Sequence, residues 1–207
     1  MKKLIAELIG SFFICFVACL CYNSNLGQVS GIVIGLALMG MIYAGGHVSG
    51  AHYNPAVTLA ALIRGKISVA EVPGYILVQL VGALLAGLMV STFFLGVAKS
   101  VDVGMKVPQM MMGEMLGSFA IVYVLFNVVG SKDTAGNSFY GMAVGLTQAA
   151  IIIAMGSIAV VALNPAIALS CVASGVIGFK DLWLYLVGEL VGAVLAALYF
   201  VYIHGKS

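Results

Sequence analysis

The chain has 207 residues, 63% of them hydrophobic and 8% charged, with a mean hydropathy of +1.17 and a formal net charge of +2. So few charges cannot cover a water-soluble globule, and basic residues scattered singly or in pairs give no footprint for nucleic acid. A bilayer core about 30 Å thick takes roughly 20 apolar residues per helix, so this length allows about six spans in one compact bundle.

Taken in chain order, Lys2 and Lys3 precede a first apolar run at residues 4–22. The run has the look of a signal peptide, but Glu7 lies within it and no small-residue cleavage site follows, so it reads as a retained helix. Cys15, Cys19 and Cys21 fall in this run and Cys171 in a later one, without the Cys/His spacing of a zinc site, so they read as buried thiols and no metal or other cofactor is expected. Further spans are expected at residues 30–46, 72–95, 109–129, 139–156 and 182–203. Two apolar segments remain, 55–63 and 165–172, too short to cross a bilayer and too apolar for a solvated loop; re-entrant half-helices fit them. Lys2, Lys3, Arg64, Lys66, Lys132 and Lys206 then fall on one side of the membrane and Lys99, Lys106 and Lys180 on the other, a bias that places both termini in the cytoplasm.

The two halves repeat. Asn54-Pro55-Ala56 matches Asn164-Pro165-Ala166 at an offset of 164 − 54 = 110 residues. The same offset pairs Gly31 and Gly35 with Gly141 and Gly145, and Gly82 with Gly192, while Glu7 to Phe12 matches Glu114 to Phe119 at an offset of 107. Small residues spaced four apart, Gly188 and Gly192 included, suit close helix contact. Three spans per repeat is an odd number, so the second copy enters the membrane upside down relative to the first. The expected fold is an all-α membrane protein, one channel domain of six transmembrane helices plus two re-entrant half-helices, built as inverted repeats over about 1–98 and 106–207.

Asn at a cap and Pro in the first turn start a helix on local grounds alone. Two such triplets at symmetric positions, each opening an apolar half-helix, bring two corners together at the midplane. Each Asn carbonyl can take backbone N–H groups while its amide N–H faces a passing solute. Two half-helix N-termini aimed at one point oppose cations there. The backbone before each half-helix, at residues 50–53 and 160–163, is expected to offer a ladder of carbonyls along a pore lined by Gly50, Ala51 and Ala162. Intramembrane Glu7 and Glu114 need partners, and accepting N–H bonds from the re-entrant loops would buttress them. Glu189, the third such carboxyl, matches Gln79 by the repeat and receives no role.

The stretch from Gly46 through His47, His52 and Asn54-Pro55-Ala56 to Thr58 resembles, nearly residue for residue, the first signature loop of the aquaporin and glycerol-facilitator (major intrinsic protein) family. The paired glutamates, the glycine pairs and the second Asn-Pro-Ala extend the resemblance along the whole chain. It implies a homotetramer in the plasma (inner) membrane, one pore per subunit, in contact with lipid and passing water or small uncharged solutes. It also implies a pore-lining role for His52 at the cytoplasmic side. The family's outer filter carries an Arg three residues after the second Asn, where this chain has Ile167. The other filter positions fall on Ile34, Ile152 and Val161, so the set is aliphatic and points to ammonia, metalloid hydroxides or small alcohols over strict water selectivity. Gly188-Glu189 replaces the family's usual Gly-Pro.

Two other classes compete. A secondary transporter shares inverted repeats and broken helices, but needs a coupling site among few polar midplane residues. A non-conducting structural protein would keep the fold, although the short loops offer little adhesive surface. No nucleophile with a base, metal cluster or phosphate loop supports an enzyme.

Overall fold

The computed structural model describes residues 1–99 and 106–206, and every structural statement below refers to these. Residues 100–105 of the short loop expected between the third and fourth spans lie outside the described residues, as does Ser207 at the end of the second repeat. Eight helices follow in order: α1 (Lys2–Asn23), α2 (Val29–Ser49), α3 (Pro55–Arg64), α4 (Val72–Met89), α5 (Val107–Gly130), α6 (Tyr140–Met155), α7 (Pro165–Ala173) and α8 (Leu182–His204). A wider π-helical turn, Val90–Phe94, prolongs α4.

Five of these, counting α4 with its extension, are long and apolar enough to cross a membrane. The fifth expected span, residues 139–156, forms the shorter α6 of 16 residues, about 24 Å long. It loses Phe139 to a non-helical N-cap and ends at Gly156, where the chain turns into the loop leading to α7. Helices α3 and α7, with 10 and 9 residues, are too short to cross. All the helices are apolar around most of their circumference, and the apolar side chains they turn outward, such as Ile9, Leu77, Leu116 and Leu198, are exposed. The polar groups Glu7, Gln79, Glu114, Gln148 and Glu189 are instead buried at the centre, the inside-out distribution of a protein whose solvent is lipid.

Glycine brings the helices close enough for this arrangement. A methyl group on Gly35 would run into the carbonyl of Gly145 across the α2–α6 contact, and one on Gly145 into the carbonyl of Gly35. The α1–α4 contact turns on Gly82, whose Cβ would sit 2.8 Å from the Leu8 carbonyl, and the α5–α8 contact on Gly188, at 2.8 Å from the Met111 carbonyl. Half-helix α3 packs on α8 and α4, and α7 on α4, α1 and α8. Each short helix is therefore wedged between long ones contributed by both halves of the chain.

Candidate functional site

Both short helices begin in the same way. Asn54 and Asn164 are extended N-cap residues with a proline directly after them. The Asn54 Oδ1 accepts from the N–H groups of Ala56 at 2.8 Å and Val57 at 3.3 Å, and the Asn164 Oδ1 accepts from Ala166 at 2.9 Å. Just before each cap the chain takes the left-handed conformation, at Tyr53 (φ 49°) and Leu163 (φ 58°), positions 110 apart. A non-glycine residue held there costs about 1–3 kcal/mol, which the surroundings must offset.

Carboxylates supply that support. Glu7 accepts from the N–H of His52 (2.9 Å) and Tyr53 (2.7 Å), and Glu114 accepts from Ala162 and Leu163 (2.7 Å each). Glu7 is further held by Ser49 Oγ at 2.6 Å and by Gln79 Nε2 at 2.8 Å. Where the first half has Gln79, the second has Glu189, whose Oε1 accepts from the Asn164 N–H at 2.7 Å and whose carboxyl also interacts with Glu114. Its Oε2 is buried without a donor.

The two corners are bonded to each other. Asn54 Nδ2 donates to the Leu163 carbonyl at 3.1 Å, and Asn164 Nδ2 donates to the Tyr53 carbonyl at 2.9 Å. Each amide thus spends one N–H on the opposite loop and keeps one to lend. The carbonyl ladder is thinner than the sequence suggests, because tyrosines reach it from the side: Tyr22 donates to the Val161 carbonyl (2.7 Å) and Tyr185 to that of Val160 (3.0 Å). With Tyr53 and Leu163 taken by the asparagines, these loops have fewer carbonyls free for a solute.

Around the asparagines lies a narrow cavity with polar groups from His52, Asn54, Gln148 and Asn164 and an otherwise apolar wall that includes Leu38, Ala51, Ile121 and Val144. Its free volume of about 20 Å³ is just above the roughly 10–15 Å³ that a single water needs. His52 pairs through Nδ1 with Thr58 Oγ1 at 3.1 Å. A separate mouth is lined in part by Tyr22, Ile152, Val161 and Lys99. Wider spaces beside Gly50, Ala51, His52, Arg64 and Lys66 share Ala51, His52 and Leu125 with the narrow cavity. Ile34 and Ile167 are 0% and 1% exposed and line neither the narrow cavity nor the first mouth; Ala162, 1% exposed, lies among the same buried residues. Pro55, Ala56, Pro165 and Ala166 are buried in the first turns of α3 and α7. Gln148, Tyr22 and Tyr185 do not stand out in the sequence. For Gln148 the repeat holds a signal, since 148 − 38 = 110 pairs it with Leu38 in an otherwise apolar span.

An all-helical membrane bundle with two capped half-helices meeting at a narrow, partly polar cavity defines a membrane channel. The profile of the major intrinsic protein family matches residues 1–200. The chain belongs to that family, whose members are channels for water and small neutral solutes. It is 34% identical over 207 residues to "Glycerol uptake facilitator protein-like 6" of Lactiplantibacillus plantarum, covering 95% of each chain. To "Aquaporin NIP1-1" of Zea mays it is 34% identical over 209 residues, covering 95% of this chain and 73% of the relative. The fold is similar to that of the aquaglyceroporin from Plasmodium falciparum, with a TM-score of 0.73 at 22% identity over 96% of this chain and 94% of the other.

Proposed function

We propose that the chain is a passive pore for small neutral solutes such as ammonia, metalloid hydroxides and small alcohols, with Ile152 and Val161 lining an aliphatic mouth and Ile34 and Ile167 in the same buried apolar cluster. The solute meets the corners Asn54-Pro55-Ala56 and Asn164-Pro165-Ala166 at mid-membrane, while Glu7 and Glu114 keep the loops in shape. The observation that carries the reading is the reciprocal bonding of the two asparagines beside a narrow, mainly apolar cavity. Each Asn has one N–H left for a solute oxygen or nitrogen, and the converging half-helix N-termini disfavour cations.

Ile152 and Val161 support an apolar filter by lining one mouth, and Ile167 stands where a fixed charge would otherwise lie. The relative described as a glycerol uptake facilitator supports small alcohols as cargo. In this reading the pore is a single domain of inverted repeats, 1–98 and 106–207, in the plasma (inner) membrane with both termini in the cytoplasm. Subunits assemble as homotetramers with one pore each.

Stopped-flow light scattering on proteoliposomes, with protein-free vesicles as reference, tests the reading by comparing water efflux with uptake of glycerol, urea and ammonia. Weak water flux with rapid uptake of one of these solutes is the expected result. Fast water flux with no solute uptake overturns the neutral-solute reading, and saturable uptake driven by an ion gradient overturns the passive mechanism.

A further inference from the structure

Gln148 sits on α6 at the narrow cavity, 3% exposed, with its Nε2 buried and unpartnered. Its symmetry partner Leu38, which also lines the cavity, needs no polar partner. Leaving an amide buried without a hydrogen bond costs about 1–3 kcal/mol, a penalty the chain avoids at position 38 and accepts at 148.

The other polar groups around this cavity are largely committed. The Asn54 and Asn164 oxygens cap their own helices, and each Nδ2 already holds the opposite loop. His52 is tied through Nδ1 to Thr58. The two asparagines can therefore lend N–H donors, while their side-chain acceptors are taken. The Gln148 amide is free at both ends, and rotation about its terminal torsion can present either the carbonyl oxygen or the NH2 group to the lumen.

We propose that Gln148 is a specificity-determining residue of the pore: its amide holds a hydroxyl-bearing neutral solute at mid-membrane by accepting from a solute O–H and donating to a solute oxygen, while Asn54 and Asn164 donate to the same molecule. A hydroxyl group offers both a donor and two acceptor lone pairs, and one such group at a time fits the one-water space beside the amides. Ammonia can also donate to the Gln148 oxygen, but its single acceptor lone pair takes only one of the three amide donors, so it gains less than a hydroxyl group. Gln148 thus biases the pore toward hydroxylated solutes over ammonia. The inference rests on the neutral-solute reading above and names the side chain that selects within that class.

The test uses Gln148→Met, close in size and without the amide, with Gln148→Leu as the match to position 38. Circular dichroism and size-exclusion chromatography identify folded preparations. Flux through the purified variants in proteoliposomes is expected to show glycerol permeability lowered about five- to tenfold, the scale of one lost hydrogen bond, with ammonia permeability within about twofold of the parent. An unchanged or raised glycerol-to-ammonia ratio overturns the proposal. A second readout does not depend on flux. Gln148 is one of four glutamines, so selective 15N-glutamine labelling gives four side-chain amide signals, of which the one missing in Gln148→Met is its own. That signal is expected to shift as glycerol is titrated into the detergent-solubilised protein. A signal that stays fixed overturns the proposal even where the parent protein conducts. If the parent passes water alone, the neutral-solute reading fails, and the amide signal then decides whether Gln148 binds a hydroxylated solute.

Discussion

Asn164 ties together three parts of the molecule: its side-chain oxygen caps α7, its amide holds the Tyr53 carbonyl of the opposite loop, and its backbone N–H is held by Glu189. Asn164→Ala removes the first two and leaves a buried carbonyl short of a donor, so a loss of about 2–3 kcal/mol is expected, the sum of a lost cap and a lost cross-loop bond. The four cysteines are all free and buried, which gives a direct readout: a thiol-reactive fluorophore should label the variant at a lower temperature than the parent. Two variants of Glu189 test its acceptor role. Glu189→Gln keeps the acceptor for Asn164 and supplies a permanent donor to Glu114, as Gln79 does for Glu7, so stability within about 1 kcal/mol of the parent is expected. Glu189→Ala orphans the Asn164 N–H and should cost about 1–3 kcal/mol in the same labelling assay. Equal losses in both variants would mean that the acceptor for the Asn164 N–H is not what position 189 contributes.

At the scale of elements, the close helix contacts and the N-terminal tie give separate predictions. Gly35→Leu places a side chain where the Gly145 carbonyl now lies and should push α2 from α6, lowering the yield of folded protein and its thermal stability. Gly40, on the same helix, has nothing within 4 Å of where a methyl group would sit and is the control: Gly40→Ala should leave stability unchanged or raised by up to about 1 kcal/mol. Lys3 at the start of α1 bonds Glu71 at the start of α4 at 3.0 Å, and Ser68 adds two further donors. The Lys3 ammonium, with the Ser68 bonds, lowers the Glu71 carboxyl to about 2 from an ordinary value of 4.5. A lowered folded value stabilises above pH 4.5, and that contribution is lost as the pH falls toward 2. Thermal unfolding of Glu71→Gln should therefore fall below the parent at pH 7 and converge with it at acid pH, the difference being small because the pair is solvent-exposed.

For the whole molecule, the exposed aliphatic belt leaves two uses for the outer surface, lipid contact and contact with further copies of the chain. The homotetramer of the proposed function is checked by native mass spectrometry from detergent or nanodiscs, with a mass four times 21.4 kDa expected. A monomer as the sole species under gentle conditions would count against it. The pore itself lies within one chain: both half-helices, both carboxylate clusters and Gln148 come from the same bundle. Loss of assembly and loss of a corner should therefore be separable, with corner variants abolishing flux in tetramers that remain intact.

Much of this is readable in the residues themselves. Apolar length marks the long helices, and Asn followed by Pro marks the two short ones, because a capped start and a lone apolar segment are local properties. The 110-residue offset pairs the corners without any tertiary information, since a repeat is written in spacing. The fifth span reads longer in the sequence than α6 is, because hydropathy cannot tell a helix end from the apolar loop that continues inward toward Asn164. What only the tertiary structure decided is where uncharged polar groups end up: that Tyr22 and Tyr185 reach loop carbonyls, that the asparagines bond across to each other, and that the Gln148 amide is left without a protein partner. The cross-loop bonds depend on which residues 100 or more positions apart come within about 3 Å, and no helical period or hydropathy window fixes that distance.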